Sequence, residues 1–234
     1  MTRSCNGCTL CCKLLPMSAQ ARPEARRTVM LLVAIGKLDP AEAFAGIEDF
    51  DKPAGVACPH QRHGKGCAVY SKRPFGCRMW ECRWLTGEDT ADLRRPDRSG
   101  YVIDCAPDYV TTEQGNTLPV IQVWVDPGRR DAWRDPELLE FVKRRWIEGM
   151  GTLIRWNEAE DCMFLWVDDQ GKVQVKTSNL RGERPHTAAE KAAALGPMMM
   201  KLVGEETEKK RPPDDNRAAL SHLQIEGARQ RQRG

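Results

Sequence analysis

Cys5-Asn6-Gly7-Cys8-Thr9-Leu10-Cys11-Cys12 gathers four of the chain's ten cysteines into eight positions, and the reading of these thiols decides what kind of fold follows. Thiolates three positions apart can converge on one soft cation from a single tight turn, whereas a disulfide between Cys5 and Cys8 would close a small, strained loop. A second group follows at Cys58, Cys67, Cys77 and Cys82. Buried thiols with unrelated roles are not normally crowded at this spacing, so the two groups together predict a metal-binding region.

Around this region the composition sets broad limits. With 234 residues and 41% hydrophobic content the chain has material for one or two domains and an ordinary core. Its net charge of +3 arises from 36 basic and 33 acidic residues, so charge alone calls for neither a nucleic-acid nor a membrane partner. No apolar leader with a small-residue cleavage site precedes Cys5, and the run 29–35 is far shorter than the roughly 18 residues a transmembrane helix needs. The expectation is a cytoplasmic protein, in a compartment where thiols stay reduced and clustered cysteines serve metal or redox chemistry.

The pattern changes along the chain. Residues 1–100 read as a cysteine-cluster metal-binding region with few strands, because small metal-stapled modules organise their core around ligands. Within it, residues 23–37 have helical spacing, with Val29, Leu32 and Val33 on one face and Pro23 suited to the first turn. A neighbouring helix is expected from Asp39-Pro40, and the pair should cover the metal site. Residues 101–204 read as a small sheet with a packed helix. Strand-like runs fall at 101–104, 119–125, 152–156 and 162–167, and the last continues through Asp168-Asp169-Gln170-Gly171 into 173–175 as a hairpin. Between them Asp135 caps a helix that Pro136 opens, Leu138, Leu139, Val142, Trp146 and Met150 follow at helical spacing, and Gly151 is the expected stop. The fold class is therefore α+β, an irregular or helical cysteine-cluster region followed by a sheet with a helix on it. Thr187-Ala188-Ala189-Glu190 is a capping box for a final helix that Pro197 interrupts, and 205–234, rich in charge, Pro and Gln, is expected to be a disordered tail.

The second cysteine group carries its own punctuation. Gly64 and Gly66 allow a tight turn before Cys67, Pro74 and Gly76 are expected to do the same before Cys77, and Arg73, Arg78 and Arg83 can offset thiolate charge. At this point the chain resembles the YkgJ-type CxxCxxCC cysteine-cluster family. Cys5, Cys8, Cys11 and Cys12 match its first element, Cys58 and Cys67 the middle pair, and Arg73-Pro74-Phe75-Gly76-Cys77-Arg78 the last, with Cys82 as an eighth donor. The resemblance covers about the first hundred residues. It implies a domain that chelates zinc or iron and names no reaction.

Eight thiols can serve two tetrahedral metals, two iron–sulfur clusters, or one cluster and one structural metal, and sequence order does not assign the pairs. Were residues 5–12 helical, Cys5, Cys8 and Cys12 would share a face and Cys11 would lie well around it, which favours two centres or a free thiol at Cys11. The function expected is metal binding. The alternatives of another class are an iron–sulfur redox enzyme or electron carrier, and a zinc-ribbon-like interaction module. Cys105 and Cys162 stand alone in strand-like runs and read as core residues. His60 and His63 sit in a polar loop and read as solvated ahead of ligating. Trp124, Trp146 and Trp166 read as core, and Trp80 and Trp84 as a screen between metal and solvent. The mixed charges of 201–211 and the basic end read as a solvated tail ahead of a nucleic-acid arm. There is no Walker loop, GxSxG or HExxH, and nothing outside the cluster reads as catalytic.

Overall fold

The computed structural model describes residues 3–5, 7–17, 29–31, 33–36, 39, 41, 46–111, 115–157, 162–178 and 190–196. One compact unit runs as far as Lys191. It is α+β. In the cysteine region the elements are short: helix α1 (Leu10–Leu14), a hairpin of β1 (Gln61–Arg62) and β2 (Gly66–Cys67), and the one-turn helices α2 (Phe75–Met79), α3 (Arg83–Thr86) and α4 (Pro96–Ser99). Gly100, in the left-handed conformation at φ 84°, ends α4 and turns the chain into the sheet. Residues 29–31, 33 and 34 are helical with Val29 buried, and Asp39 accepts a hydrogen bond from the Ala41 N–H at 2.7 Å. Pro23, Leu32 and Pro40 lie outside the described residues, as do Thr187, Pro197 and the whole of 205–234.

The sheet has five strands in chain order: β3 (Tyr101–Thr111), β4 (Thr117–Val125), β5 (Gly151–Arg155), β6 (Cys162–Val167) and β7 (Val173–Ser178). Every pairing is antiparallel except β4 with β5, and that parallel pair is joined through helix α5 (Pro136–Ile147), the kind of crossover parallel strands require. β3 is longer than the sequence pattern indicates. The run expected at 101–104 continues past a register shift between Ile103 and Pro107, and Pro107 is tolerated beyond it because β3 is an edge strand.

Helix α5 begins as expected, with Asp135 accepting from the Glu137 N–H at 3.2 Å and Pro136 in the first turn. Its end differs. Gly149 takes φ 80°, its N–H reaches the Trp146 carbonyl at 2.9 Å, and the Met150 N–H reaches the Arg145 carbonyl at 2.9 Å, a Schellman closure. Gly151, the expected stop, instead opens β5, and its lack of a side chain has another cause: a Cβ there would lie 2.5 Å from the Phe164 ring. The hairpin after β6 follows the sequence closely. Gly171 turns at φ 76°, and Asp168 accepts from the N–H groups of Gln170 and Lys172.

Alternation along β3 and β4 divides the sheet's two faces. Tyr101, Ile103, Ile121, Val123 and Val125 pack with Leu138, Phe141 and Val142 of α5. Val102 and Trp124, paired across the two strands, point the other way and pack with Leu10, Leu14 and Cys82. The sheet is thus covered by α5 on one side and, at its β3–β4 half, by the cysteine region on the other. Among the described residues no helix is long and apolar enough to cross a membrane.

Candidate metal centre

The segment before α1 is a turn and not a continuation of the helix, which begins only at Leu10. Gly7 adopts φ 79° and the Cys8 N–H returns to the Cys5 carbonyl, so Cys5 and Cys8 are set by a loop. The condition for Cys11 to point away from them is not met. Cys5, Cys8, Cys11 and Cys82 line one small cavity together, with Trp84 and Val102 in its wall. Arg3 fixes this arrangement from outside: it donates to the Trp84 carbonyl, to Thr90 Oγ1 at 3.0 Å and to the Thr90 carbonyl at 2.7 Å, and lies over the Trp84 ring.

On the other side of α1 the two cysteine groups meet through the backbone. The Cys58 N–H donates to the Cys12 carbonyl at 3.0 Å, and the Cys58 carbonyl accepts from Gln61, the residue opposite Cys67 in the hairpin. The hairpin turn sits against the first cysteine turn so closely that a Cβ on Gly7 would be 2.8 Å from the Gly64 carbonyl oxygen. Gln61 Nε2 also donates to Thr9 Oγ1 at 2.9 Å. Cys77 lies within α2, so Gly76 is part of a helical turn and not the tight loop expected there. The Gly76 N–H is held by Asp49, and the Cys77 thiol donates to Met17 Sδ at 3.3 Å.

Burial in this dense setting pushes most of these thiols up. Cys77 rises to about 11 through burial and the charges of Cys12, Cys58 and Cys67, and Cys82 to about 11 through burial, against the Leu85 N–H, with the charges of Cys5 and Cys8 adding to it. Cys12 goes the other way, to about 7, because the Cys11 thiol donates to it and because Lys52 and Arg73 are near. Cys11, the donor, is correspondingly raised. Burial also raises Cys8, against the N–H groups of Leu10 and Asp97, and Cys58, against the N–H of His60.

Lys52 carries no sequence signal. It is buried, and its ammonium donates to the carbonyls of Lys13, Pro53 and Val56 at 3.2, 3.1 and 2.8 Å, which plants a fixed positive charge beside Cys12 and Cys58. Of the arginines expected to offset thiolate charge, Arg73 is the one that weighs on Cys5, Cys12 and Cys77. Arg83 pairs with Asp89 at 2.9 Å, and Arg78 lies over the Phe75 ring.

All ten cysteines are free of disulfides. Cys162 is buried with Val120 and Leu153 in the core, and Cys105 is half-buried in β3. His63 is exposed and the His60 ring packs edge-on to Phe50. Trp80 donates to Asp104 Oδ1 at 3.0 Å. Among the described residues no three His, Cys, Asp or Glu side chains already stand in position to hold a metal ion. Ligation at about 2.3 Å therefore requires the thiols to turn inward from the neighbourhoods they share. The donor set itself fits a soft or borderline metal: eight sulfurs, none tied up in disulfides, with two cations beside them.

Comparison with known proteins agrees on where this chemistry lies. Residues 4–96 match the family model CxxCxxCC, described as a "Putative zinc- or iron-chelating domain". No curated protein and no solved structure matches the chain. Residues 4–96 are thus similar to the CxxCxxCC family, and the five-stranded sheet that follows lies outside the match.

Proposed function

We propose that this chain binds zinc or iron through Cys5, Cys8, Cys11, Cys12, Cys58, Cys67, Cys77 and Cys82, and that the sheet is the scaffold against which the cysteine region is held. The observation that carries this reading is the convergence of thiols far apart in sequence: Cys82 shares a cavity with Cys5, Cys8 and Cys11, while Cys58 is joined to Cys12 by its backbone. Neighbouring thiols raise one another's affinity for protons, and a bound cation relieves that repulsion. Lys52 and Arg73 stabilise the thiolate form that a metal needs. A reducing compartment such as the cytoplasm suits ten unpaired thiols. When bound, a metal would cross-link elements too short to hold one another, and an iron–sulfur cluster would add the capacity to carry an electron.

Anaerobic purification of the full chain followed by metal and acid-labile sulfide analysis tests the reading. Stoichiometric zinc, or iron, is the expected result. Acid-labile sulfide equal to the iron would make the group an iron–sulfur cluster. A chain that takes up neither metal when its thiols are fully reduced overturns the proposal.

A further inference from the structure

We infer that the eight thiols divide into two four-sulfur centres, Cys5, Cys8, Cys11 and Cys82 in one and Cys12, Cys58, Cys67 and Cys77 in the other, with the Cys11–Cys12 peptide as the divide. This rests on the metal-binding reading above and goes beyond it in assigning each ligand to a centre.

Three observations lead to the division. The first set lines a single cavity, which none of the second set enters. The second set is built by a different device: Cys12 is tied to Cys58, Cys58 to the hairpin that carries Cys67, and Cys77 contacts Met17, whose backbone pairs with Lys52 beside Cys12. Adjacent residues of a helix point about 100° apart, so Cys11 and Cys12, both inside α1, are suited to serve neighbouring centres and not one. The two sets adjoin, since Cys11 and Cys12 are consecutive residues of α1.

The surroundings give the centres different character. The first is walled by Trp84 and Val102 and includes Cys82, which is buried. The second lies beside the ammonium of Lys52 and the hairpin turn, where His63, Gly64 and Lys65 are exposed. A chelator therefore reaches the second centre sooner, while apolar walls protect the first.

The test uses the wild-type chain loaded with Zn(II), stripped with excess EDTA and sampled with a thiol-alkylating reagent, each cysteine being read by peptide mass spectrometry. Two ions per chain are expected, released in two phases, with Cys12, Cys58, Cys67 and Cys77 labelled as one set and Cys5, Cys8, Cys11 and Cys82 as a later one. A single ion per chain, labelling of all eight together, or sets that mix the two groups overturns the division while leaving metal binding intact. A reduced chain that holds no zinc overturns the metal-binding reading itself, and the division with it. In support, Co(II) titration of Cys8→Ser with Cys82→Ser, and separately of Cys58→Ser with Cys77→Ser, should each retain one thiolate-to-cobalt absorption of half the wild-type intensity. Loss of all absorption in both variants, with the circular dichroism of the sheet unchanged, would point to one shared centre.

Discussion

Between Tyr101 and Ser178 the chain fully buries Ile121, Val123, Leu138, Phe141, Ile154 and Leu165, whereas the described residues before Gly100 bury only Leu10, Leu14, Val29, Cys82 and Leu93 among their hydrophobics. The sheet region has long strands, a twelve-residue helix and a continuous apolar layer between them. The cysteine region has helices of four or five residues and strands of two. Such elements are too short to be stable alone, since helix nucleation is costly and isolated short helices are marginal in water. The contrast teaches that removal of apolar area from water orders one region and supplies little to the other, where the proposed metal would have to cross-link the sulfurs instead.

The strongest way to break that comparison is to remove the metal. Chelation, or Cys77→Ser, should abolish amide hydrogen-exchange protection across residues 7–17 and 46–86 while the central strands β4 and β5 keep theirs. Cys162→Ala, in the core of the sheet, should leave metal content unchanged. If both regions lost protection together, the sheet would be as dependent on metal as the cysteines are.

The reverse experiment is Phe141→Ala, which empties the centre of the α5 interface and should cost about 3–5 kcal/mol in chemical denaturation. Gly151→Ala should cost about 1–3 kcal/mol, because the new Cβ collides with the Phe164 ring. Metal content per folded chain should be the same in both variants. A fall would mean that the helix side of the sheet helps shape the thiols.

Lys52→Met sharpens the comparison from the cysteine side. With the ammonium gone, the Cys12 and Cys58 thiolates lose a stabilising charge and protons compete with metal for sulfur more effectively. The midpoint of metal release on acid titration should move to higher pH, by about one unit or less. Midpoints that coincide with wild type would remove the electrostatic role and leave Lys52 its contacts with backbone carbonyls.

Much of the sheet region was legible because its signals are local. The Asp135-Pro136 start of α5 and the Asp168 to Gly171 turn each depend on neighbours in sequence. Phe141 was not singled out for the core although its position between Leu138 and Val142 could have shown it. The continuation of β3 past Pro107 and the true roles of Gly149 and Gly151 depend on which strand is at the edge and which ring lies across the sheet. In the cysteine region the spacing made the cysteines stand out as candidate donors, but not which of them lie together. Their surroundings depend on Arg3 clamping the Trp84 to Thr90 segment and on Lys52 planted under α1, contacts between residues tens of positions apart.

The smallest effect is expected at the hairpin. Asp168 is held below the usual carboxylate range, first by the Lys172 N–H and then, against desolvation, by Gln174 and the Gln170 N–H. Its contribution is present above the unfolded carboxylate value and lost as pH falls through the lowered folded value. Asp168→Asn should therefore lower the melting temperature slightly at neutral pH and not at strongly acidic pH, with no change in metal release. A difference that persists unchanged to low pH would assign the effect to shape instead of charge.

The sidedness of β3 and β4 bears on how the chain can be cut. The family match ends at residue 96, yet Val102 and Trp124 are covered by Leu10, Leu14 and Cys82. A fragment beginning at Tyr101 would present a bare indole and valine to solvent on one face, and a fragment ending at residue 96 would lose the wall on which α1 rests. Kinship in sequence and self-sufficiency as a folded piece have different borders here, so expression of either half alone should give sticky, poorly soluble material where the intact chain does not.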